Sequence, residues 1–303
     1  MTSPQAQSIP PGPLQRDKEP IGREVRRRDI RFDADDGFPL TGTLFEGDGQ
    51  QPLVLISSAT AVPRGFYAAF ATAAVKAGAR GALIYDYRGT GDSITPRAWS
   101  KRIGMADWGL LDMPAATRAL NAIAPEHPMV GVGQSYGGQA LGLSGISNRF
   151  TRYGMIAVMS GYHRGLDDKW AGPRMFLLGV PLSYLFRSMP KWMRLGEPIP
   201  ATVFRDWARW CSMPDYFFDD PDLKETSRFA DVHTPILSLR MTDDRRGNGT
   251  RRGLADEALQ SSFGRKTLDF AERRWWSDRS SRLFPITLRS HFMAAISGLA
   301  ARR

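Results

Sequence analysis

Short apolar runs alternate with longer helical segments along much of this chain, and this alternation constrains the fold more than any other feature of the sequence. The predicted strands lie at residues 53–56, 82–85, 129–132 and 155–159, and the predicted helices at residues 67–76, 107–122 and 138–147. Short buried strands separated by helices are typical of a mostly parallel sheet that is covered on both faces. We therefore predict an α/β fold.

The pattern changes at both ends of this alternation. Before it, residues 25–32 and 40–45 alternate with period two around a turn-rich stretch, which predicts a hairpin of two strands. After it, residues 161–230 contain no clear strand. The strand pattern then resumes at residues 235–239, with a further strand predicted at residues 267–271.

These changes divide the chain into a tail, a core and an insertion. Residues 1–22 are polar and proline-rich and predict a disordered tail. Residues 23–160 and 231–303 form the predicted core, and residues 161–230 a helical lid. The insertion is rich in aromatic residues, which either build the lid's own core or form an apolar ceiling that selects an acyl or aromatic group.

Composition and charge exclude several classes of protein. The chain of 303 residues is 42% hydrophobic, which is too apolar for a disordered protein. Its net charge of +10 comes from 34 arginines and 7 lysines without any nucleic-acid recognition motif, so we expect no nucleic-acid partner. The single cysteine, Cys211, excludes an internal disulfide and any multi-cysteine metal site.

No segment predicts export or insertion into a membrane. The first twenty residues lack the apolar run of a signal peptide. The most apolar stretch, residues 175–180, is stopped by Pro181, far short of the ~20 residues that span a bilayer. We expect a cytoplasmic protein with no membrane span.

The strongest functional signal is the sequence G-Q-S-Y-G-G at residues 133–138, directly between a predicted strand and a predicted helix. It matches the pattern G-x-S-x-G in the context that gives this pattern its meaning. A sharp turn would lift Ser135 clear of the sheet, and the helix N-terminus would place the Tyr136 N–H where an oxyanion forms. The alternative is that Ser135 merely caps the helix.

A second motif, D-Y-R-G-T-G-D-S at residues 86–93, follows the preceding parallel strand. Here the chain resembles the α/β-hydrolase family, whose members often carry D-x-R-G-x-G-x-S at this place. Residues 55–63, 207–211 and 242–244 are similar to one group of uncharacterised bacterial predicted hydrolases. The resemblance implies an α/β-hydrolase fold, with a mostly parallel sheet flanked by helices and a helical lid insertion.

The resemblance also implies catalytic roles. Ser135 matches the nucleophile, and the loop after the strand at residues 53–56 matches the oxyanion loop. The N–H of Ala59, or that of Thr60, would therefore join the N–H of Tyr136 as a donor. Two serines replace the usual His-Gly of this loop, but a backbone donor does not depend on that pair.

The acid and the base implied by the resemblance lie in the C-terminal part of the chain. The acid should follow the strand at residues 235–239, where Asp243 and Asp244 stand; Asp244 fits the usual spacing better, and an ion pair with a neighbouring arginine is its alternative role. His291 is the only histidine after the acid and is the expected base. Related chains usually carry I-G-H-x-G-F-F here, and both glycines are missing around His291, so a surface position for His291, with His163 as substitute base, stays open.

The sequence therefore predicts a serine hydrolase that needs no cofactor and no metal. It would cleave an ester, a thioester or an amide of a small-molecule acyl substrate through an acyl-enzyme. The second hypothesis is that Phe284 is the counterpart of the family's histidine and that the triad is broken. The chain would then be a catalytically impaired α/β-hydrolase-like protein that binds a small apolar ligand or a protein partner.

Overall fold

The computed structural model describes residues 24–166, 168–193, 195–241 and 266–270. The predicted tail at residues 1–22 lies outside them. Eight strands of the described residues form one sheet. They are β1 (Arg26–Asp33), β2 (Pro39–Glu46), β3 (Leu53–Ser57), β4 (Gly81–Asp86), β5 (Met129–Gln134), β6 (Arg152–Ile156), β7 (Ile236–Met241) and β8 (Lys266–Phe270).

The sheet is mostly parallel. Its strand order is β1-β2-β4-β3-β5-β6-β7-β8. β1 is antiparallel to β2 and β2 is antiparallel to β4, whereas all later neighbours in this order are parallel. β3 and β4 are buried at every position because the sheet is covered on both faces. The predicted α/β fold with a mostly parallel sheet is confirmed.

Helices on the two faces bury alternate residues of the central strands. Helix α1 (Ala68–Lys76) packs on one face together with Val54 and Ile56. Helices α2 (Met113–Asn121) and α3 (Tyr136–Ser144) pack on the other face in a cluster that includes residues 53 and 55. This period of two is the geometry of a strand whose successive side chains point to opposite faces.

Two predicted elements have different bounds in the structure. The strand predicted at residues 155–159 is β6, which begins at residue 152 and ends at residue 156. It ends there because Ala157 has a φ of 50°, which an extended strand does not allow. The helix predicted at residues 138–147 is α3, which ends before Gly145, whose φ of 67° is the left-handed conformation of a helix C-terminus.

Between β6 and β7, the described residues form helices and turns, and β7 then pairs in parallel with β6. Residues 171–185, here called the outer helix, are helical without interruption. They comprise α4 (Ala171–Pro173), a π-helical stretch (Arg174–Gly179) and α5 (Val180–Leu185). Helix α6 (Ala201–Ser212) follows. None of the helices in the described ranges is long and apolar enough to cross a membrane.

Candidate active site

Ser135 stands at a sharp turn between β5 and α3. Its φ of 49° and ψ of −117° lie in a region that L-residues other than glycine rarely adopt. Its backbone N–H donates to the Ile156 carbonyl at 2.9 Å, and its own carbonyl accepts from the Gly138 N–H at 2.9 Å. Such strain costs about 1–3 kcal/mol and persists only where surrounding contacts enforce it.

Two glycines make this turn sterically possible. A Cβ atom at Gly133 would overlap the backbone of Gly137, and a Cβ atom at Gly137 would overlap the carbonyl group of Ser57. The strand end, the first turn of α3 and the end of β3 therefore touch through their backbones. This close approach is the physical reason for the glycines in the G-x-S-x-G pattern.

The side chain of Ser135 does not cap α3, so the structure does not support the alternative prediction that this serine serves as a helix cap. The residue is half-buried, and its hydroxyl makes no hydrogen bond to another group in the described part of the chain. Tyr136 is the first residue of α3, so its N–H has no acceptor within the helix. The turn therefore presents a hydroxyl beside the positive end of a helix.

The loop after β3 lies directly beside this turn. Ser57 is paired with Gly133 in neighbouring parallel strands, so the segments that follow β3 and β5 leave the sheet side by side. Buried tyrosines of β4 and its following loop hold the first residues of the loop. The Tyr85 hydroxyl is 3.0 Å from Ser57 Oγ, and the Tyr87 hydroxyl donates to the Ser58 carbonyl at 3.3 Å.

The N–H of Ala59, one of the two predicted oxyanion donors of this loop, is already engaged. It donates to the Tyr67 hydroxyl at 2.9 Å, and that hydroxyl donates to Gln134 Oε1 at 2.7 Å. Burial raises the pKa of the Tyr67 phenol, so it keeps its proton and can donate. In the described residues, the N–H of Thr60 has no hydrogen-bond acceptor, and Thr60 is partly exposed.

The side chain of Tyr136 anchors the start of α3 in the core. Its ring is buried, and its hydroxyl donates to the Met105 carbonyl at 2.6 Å. The indole of Trp108 packs edge-on against it at 5.6 Å between ring centroids. Burial also raises the pKa of the Tyr136 phenol, so it remains a neutral donor. The backbone N–H of Tyr136 is thereby fixed in position.

The motif at residues 86–93 is a loop held by its own polar groups. The Asp86 carboxylate accepts from the backbone N–H groups of Arg64 and Asp92, at 2.9 and 3.0 Å, and pairs with the Arg64 guanidinium. Ser93 Oγ donates to the Asp86 carbonyl at 2.7 Å. These contacts fix the loop after β4 beside the loop after β3, so the motif supports the site without supplying a reacting group.

Arg88 of the same motif forms a buried ion pair that the sequence analysis did not identify. Its backbone N–H and its Nε donate to the Asp112 carboxylate at 2.8 and 2.7 Å, and its Nη1 donates to Asp36 at 2.8 Å. Burial raises the pKa of Asp112, and the guanidinium opposes that shift. The sequence carries no specific signal for this pair, because the predicted helix at residues 107–122 also contains Asp107 and Arg118.

The predicted acid and base lie outside the described residues. Asp243, Asp244 and His291 all belong to ranges that the structure does not describe. The described strand β7 ends at Met241, directly before the segment that holds both aspartates. β6 alone separates β7 from β5, the strand that carries Ser135 at its end.

His163, the substitute base, begins a short 3₁₀ turn after β6. Its ring packs edge-on against Phe176 of the outer helix, at 5.1 Å between ring centroids. Burial lowers the pKa of its imidazole, and the neighbouring Arg164 adds to the shift. The neutral ring that results could accept a proton, but these ring contacts hold it within the insertion.

Several solved structures share this fold at low sequence identity. An esterase from Pyrococcus furiosus superposes with a TM-score of 0.56 at 15% identity, covering 90% of this chain and 93% of its own. A thermostable carboxyl esterase from Bacillus coagulans gives 0.57 at 15% identity and covers 90% and 98%. A lipase in its open form gives 0.61 at 16% identity and covers 91% and 100%. At these identities the likeness concerns the fold alone.

A comparison with curated protein sequences gives no match. The sequence profile of the alpha/beta hydrolase family, in contrast, matches residues 53–291, which is most of the chain. The match begins at the first residue of β3 and ends at His291. It confirms at the level of the family the resemblance carried by residues 86–93 and 133–138. The chain belongs to the alpha/beta hydrolase family.

Proposed function

We propose that this protein is a serine hydrolase that cleaves an ester, a thioester or an amide through an acyl-enzyme. The strained backbone of Ser135 carries this proposal. A serine that serves only packing or capping gains nothing from a conformation that costs about 1–3 kcal/mol. Membership of the alpha/beta hydrolase family supports hydrolase activity in general.

In the first half of the reaction, the Ser135 hydroxyl attacks the substrate carbonyl carbon while His291 removes its proton. Asp244, or Asp243 in its place, accepts a hydrogen bond from the other ring nitrogen and stabilises the imidazolium. The C–O, C–S or C–N bond of the substrate then breaks. The leaving alcohol, thiol or amine takes the proton from His291, and the acyl group remains as an ester of Ser135.

Water completes the reaction. His291 takes a proton from a water molecule, whose oxygen attacks the acyl carbon. The bond between Ser135 Oγ and that carbon breaks, and the serine oxygen takes the proton back from the imidazolium. The product is a carboxylic acid, and the enzyme returns to its starting state.

Two backbone N–H groups are proposed to bind the oxyanion of both tetrahedral intermediates. One belongs to Tyr136, at the N-terminus of α3. The second comes from the loop after β3, where Thr60 is favoured over Ala59 because the Ala59 N–H already donates to Tyr67. A donor of this kind is worth about 3 kcal/mol of transition-state stabilisation.

Residues 161–230 are proposed to serve as a lid over this site. Two contacts of the connection between the outer helix and α6 support this role. The Glu197 N–H donates to the Ala61 carbonyl at 2.8 Å, and Pro200 packs directly on Gly89. The connection therefore crosses the loops at the carboxyl ends of β3 and β4, beside the turn that carries Ser135.

Covalent labelling with a fluorophosphonate tests the nucleophile. The probe forms a bond with an activated serine, so intact-protein mass spectrometry should find one adduct on the wild type and none on Ser135→Ala. Ser100→Ala removes an exposed serine far along the loop after β4 and serves as the matched control, which should label like the wild type. Equal labelling of Ser135→Ala would place the reactive group elsewhere and contradict the proposal.

Substitution of the proposed acid and base tests the rest of the triad. His291→Ala should lower kcat for a p-nitrophenyl ester at least about a thousandfold, because serine is a weak nucleophile at its own pKa. Asp244→Asn and Asp243→Asn, compared with each other, identify the acid by the larger loss. A kcat that His291→Ala leaves unchanged but His163→Ala abolishes would move the base to the insertion.

The second candidate function, a binding protein with a broken triad, is favoured by the missing glycines around His291. It predicts that the wild type neither labels with fluorophosphonate nor hydrolyses esters, although it folds cooperatively. Restoring the family's two glycines with Ser290→Gly and Met293→Gly would not create activity if Phe284 occupies the place of the base. Labelling of Ser135 in the wild type contradicts this alternative.

A further inference from the structure

The exposed apolar side chains of this protein are concentrated in one short stretch. Nine large apolar side chains are exposed among the described residues, and seven of them lie between residues 170 and 192. These seven are Trp170, Leu177, Leu178, Tyr184, Leu185, Phe186 and Trp192, here called the outer apolar surface. Single exposed apolar residues are ordinary, but a cluster of this size marks an interaction site.

The spacing of these residues places most of them on one side of the outer helix. Two pairs of adjacent residues, Leu177–Leu178 and Tyr184–Leu185, are exposed on this helix. The pairs are seven residues apart, about two helical turns, so they lie on the same face. The opposite face is buried, with Gly179 packed closely against the ring of Phe204 from α6. The outer helix is thus apolar on both sides, and the described chain covers one of them.

Basic residues surround the outer apolar surface. Residues 161–193 contain five arginines and lysines but two aspartates. Lys169, Arg187 and Lys191 are exposed, and the first two lie next to Trp170 and Phe186 in the sequence. Lys191 also lies 3.8 Å from Glu197, and Arg174 pairs with Asp168, so Lys169 and Arg187 are the main cations beside the surface. This arrangement of aromatic and aliphatic side chains with flanking cations fits the boundary between acyl chains and anionic headgroups of a lipid surface.

We propose that the outer apolar surface binds peripherally to a lipid surface that carries anionic headgroups. Leu177 and Leu185 would enter the acyl boundary, while Lys169 and Arg187 would contact the headgroups. A symmetric pairing of two copies through this face is disfavoured, because both copies would bring the same excess of positive charge into one interface. Lipid binding needs no reaction at Ser135, so it can succeed or fail independently of the proposed hydrolase activity.

Vesicle flotation tests this proposal with a matched pair of variants. The wild type and Ser135→Ala should both float with vesicles of phosphatidylcholine and phosphatidylglycerol. Leu177→Ser combined with Leu185→Ser should weaken binding at least about tenfold, because two apolar side chains no longer leave water. Ile94→Ser is the control, since Ile94 is 71% exposed but lies outside the surface, and it should bind like the wild type.

A second arm tests the electrostatic part. Lys169→Glu with Arg187→Glu should weaken binding to the phosphatidylglycerol vesicles about tenfold or more and change binding to pure phosphatidylcholine little. Added salt should act in the same direction, because it screens exposed charges. Thermal melting of all variants checks that they remain folded, as expected for substitutions at exposed positions.

Three outcomes would overturn the proposal. The wild type does not float with either kind of vesicle; or Ile94→Ser weakens binding as much as the double leucine variant does; or light scattering finds a dimer that Leu177→Ser with Leu185→Ser converts to a monomer. The last result would assign the outer apolar surface to a second copy of this chain. Loss of floating in the double variant alone, with a monomeric wild type, supports the lipid surface.

Discussion

The outer helix and α6 are neighbours in the insertion, yet they differ in which side chains they bury and which they expose. α6 buries Val203, Phe204 and Trp210 and keeps Arg205 and Arg209 on its other side. The outer helix contains a single charged residue, Arg174, and leaves apolar side chains exposed. The comparison teaches that aromatic content alone does not define a core. A helix with one polar face buries its apolar face against the rest of the chain and leaves the polar face to water. A helix that is apolar on both sides leaves one apolar side exposed.

The largest expected difference between the two helices concerns a pair of tryptophans. Trp210 of α6 is 2% exposed and its Nε1 donates to Asp220 at 2.6 Å, whereas Trp192, just after the outer helix, is 61% exposed. Trp210→Ala should lower the free energy of unfolding by about 3–5 kcal/mol, because it leaves a cavity and removes one donor from the buried Asp220 carboxylate, which Arg209 still contacts. Trp192→Ala should change it by less than about 0.5 kcal/mol.

Urea unfolding of both variants measures this difference. Equal losses of stability would mean that the outer surface is covered in solution, and the comparison between the two helices would then fail. A small loss in Trp210→Ala would instead mean that α6 contributes little to the cooperative unit that contains the sheet.

A smaller effect is expected where α6 is joined to the turn that carries Ser135. Asp206 accepts from the Met105 N–H at 3.0 Å, and the Met105 carbonyl accepts from the Tyr136 hydroxyl at 2.6 Å. Asp206→Ala should cost about 1–3 kcal/mol in the free energy of unfolding, because it leaves a buried N–H unpaired. Asp206→Asn is the control, since its amide oxygen can still accept from Met105 and the cost should be smaller. Equal costs for both variants would assign the effect to the charge and its pair with Arg102.

The connection between the outer helix and α6 donates a hydrogen bond to the loop after β3, from Glu197 to Ala61. On its other side, the same loop donates to the buried hydroxyl of Tyr67. Tyr67→Phe removes the hydroxyl that joins Ala59 to Gln134 and should lower the free energy of unfolding by about 1 kcal/mol. Because the Thr60 N–H would lose its fixed position, kcat should fall about fivefold with KM unchanged. An unchanged or higher kcat would show that the freed Ala59 N–H is the better oxyanion donor.

The sequence predicted the strand–turn–helix geometry around Ser135 well because its determinants are local. A glycine two residues before Ser135 and another two residues after it are required by backbone contacts that any such strand–helix turn must make. The parallel core was predictable for a similar reason, since the alternation of strands and helices restricts the possible connections. Asp243, Asp244 and His291 remain predictions.

Contacts between distant side chains were not predictable in the same way. Gln134 is 67 residues from Tyr67, and no spacing in the sequence indicates that their side chains meet. Asp112 resembled an ordinary polar residue of a helix, although it is buried against Arg88. The aromatic residues of the insertion were assigned to a lid core or to an apolar ceiling. Their density could not show that some face outward, because exposure depends on which face of each helix meets the rest of the chain.

The smallest expected effect tests the polar contact that holds the outer helix to α6. The Arg205 guanidinium lies 4.6 Å from the centre of the Tyr184 ring and donates to the Ser183 carbonyl at 2.6 Å. Tyr184→Leu keeps an apolar side chain but removes the ring, and should cost about 0.5–1 kcal/mol in the free energy of unfolding. Tyr184→Phe keeps the ring and should be neutral. A double-mutant cycle with Arg205→Met isolates the pair, and a coupling energy of zero would mean that the Tyr184 ring contributes nothing, so that the buried face around Gly179 and the Arg205–Ser183 hydrogen bond hold the outer helix in place. A coupling near the expected value would instead mean that Tyr184 has a partner within the chain. The exposed leucines of the outer apolar surface would then be the residues that still require a partner outside the chain.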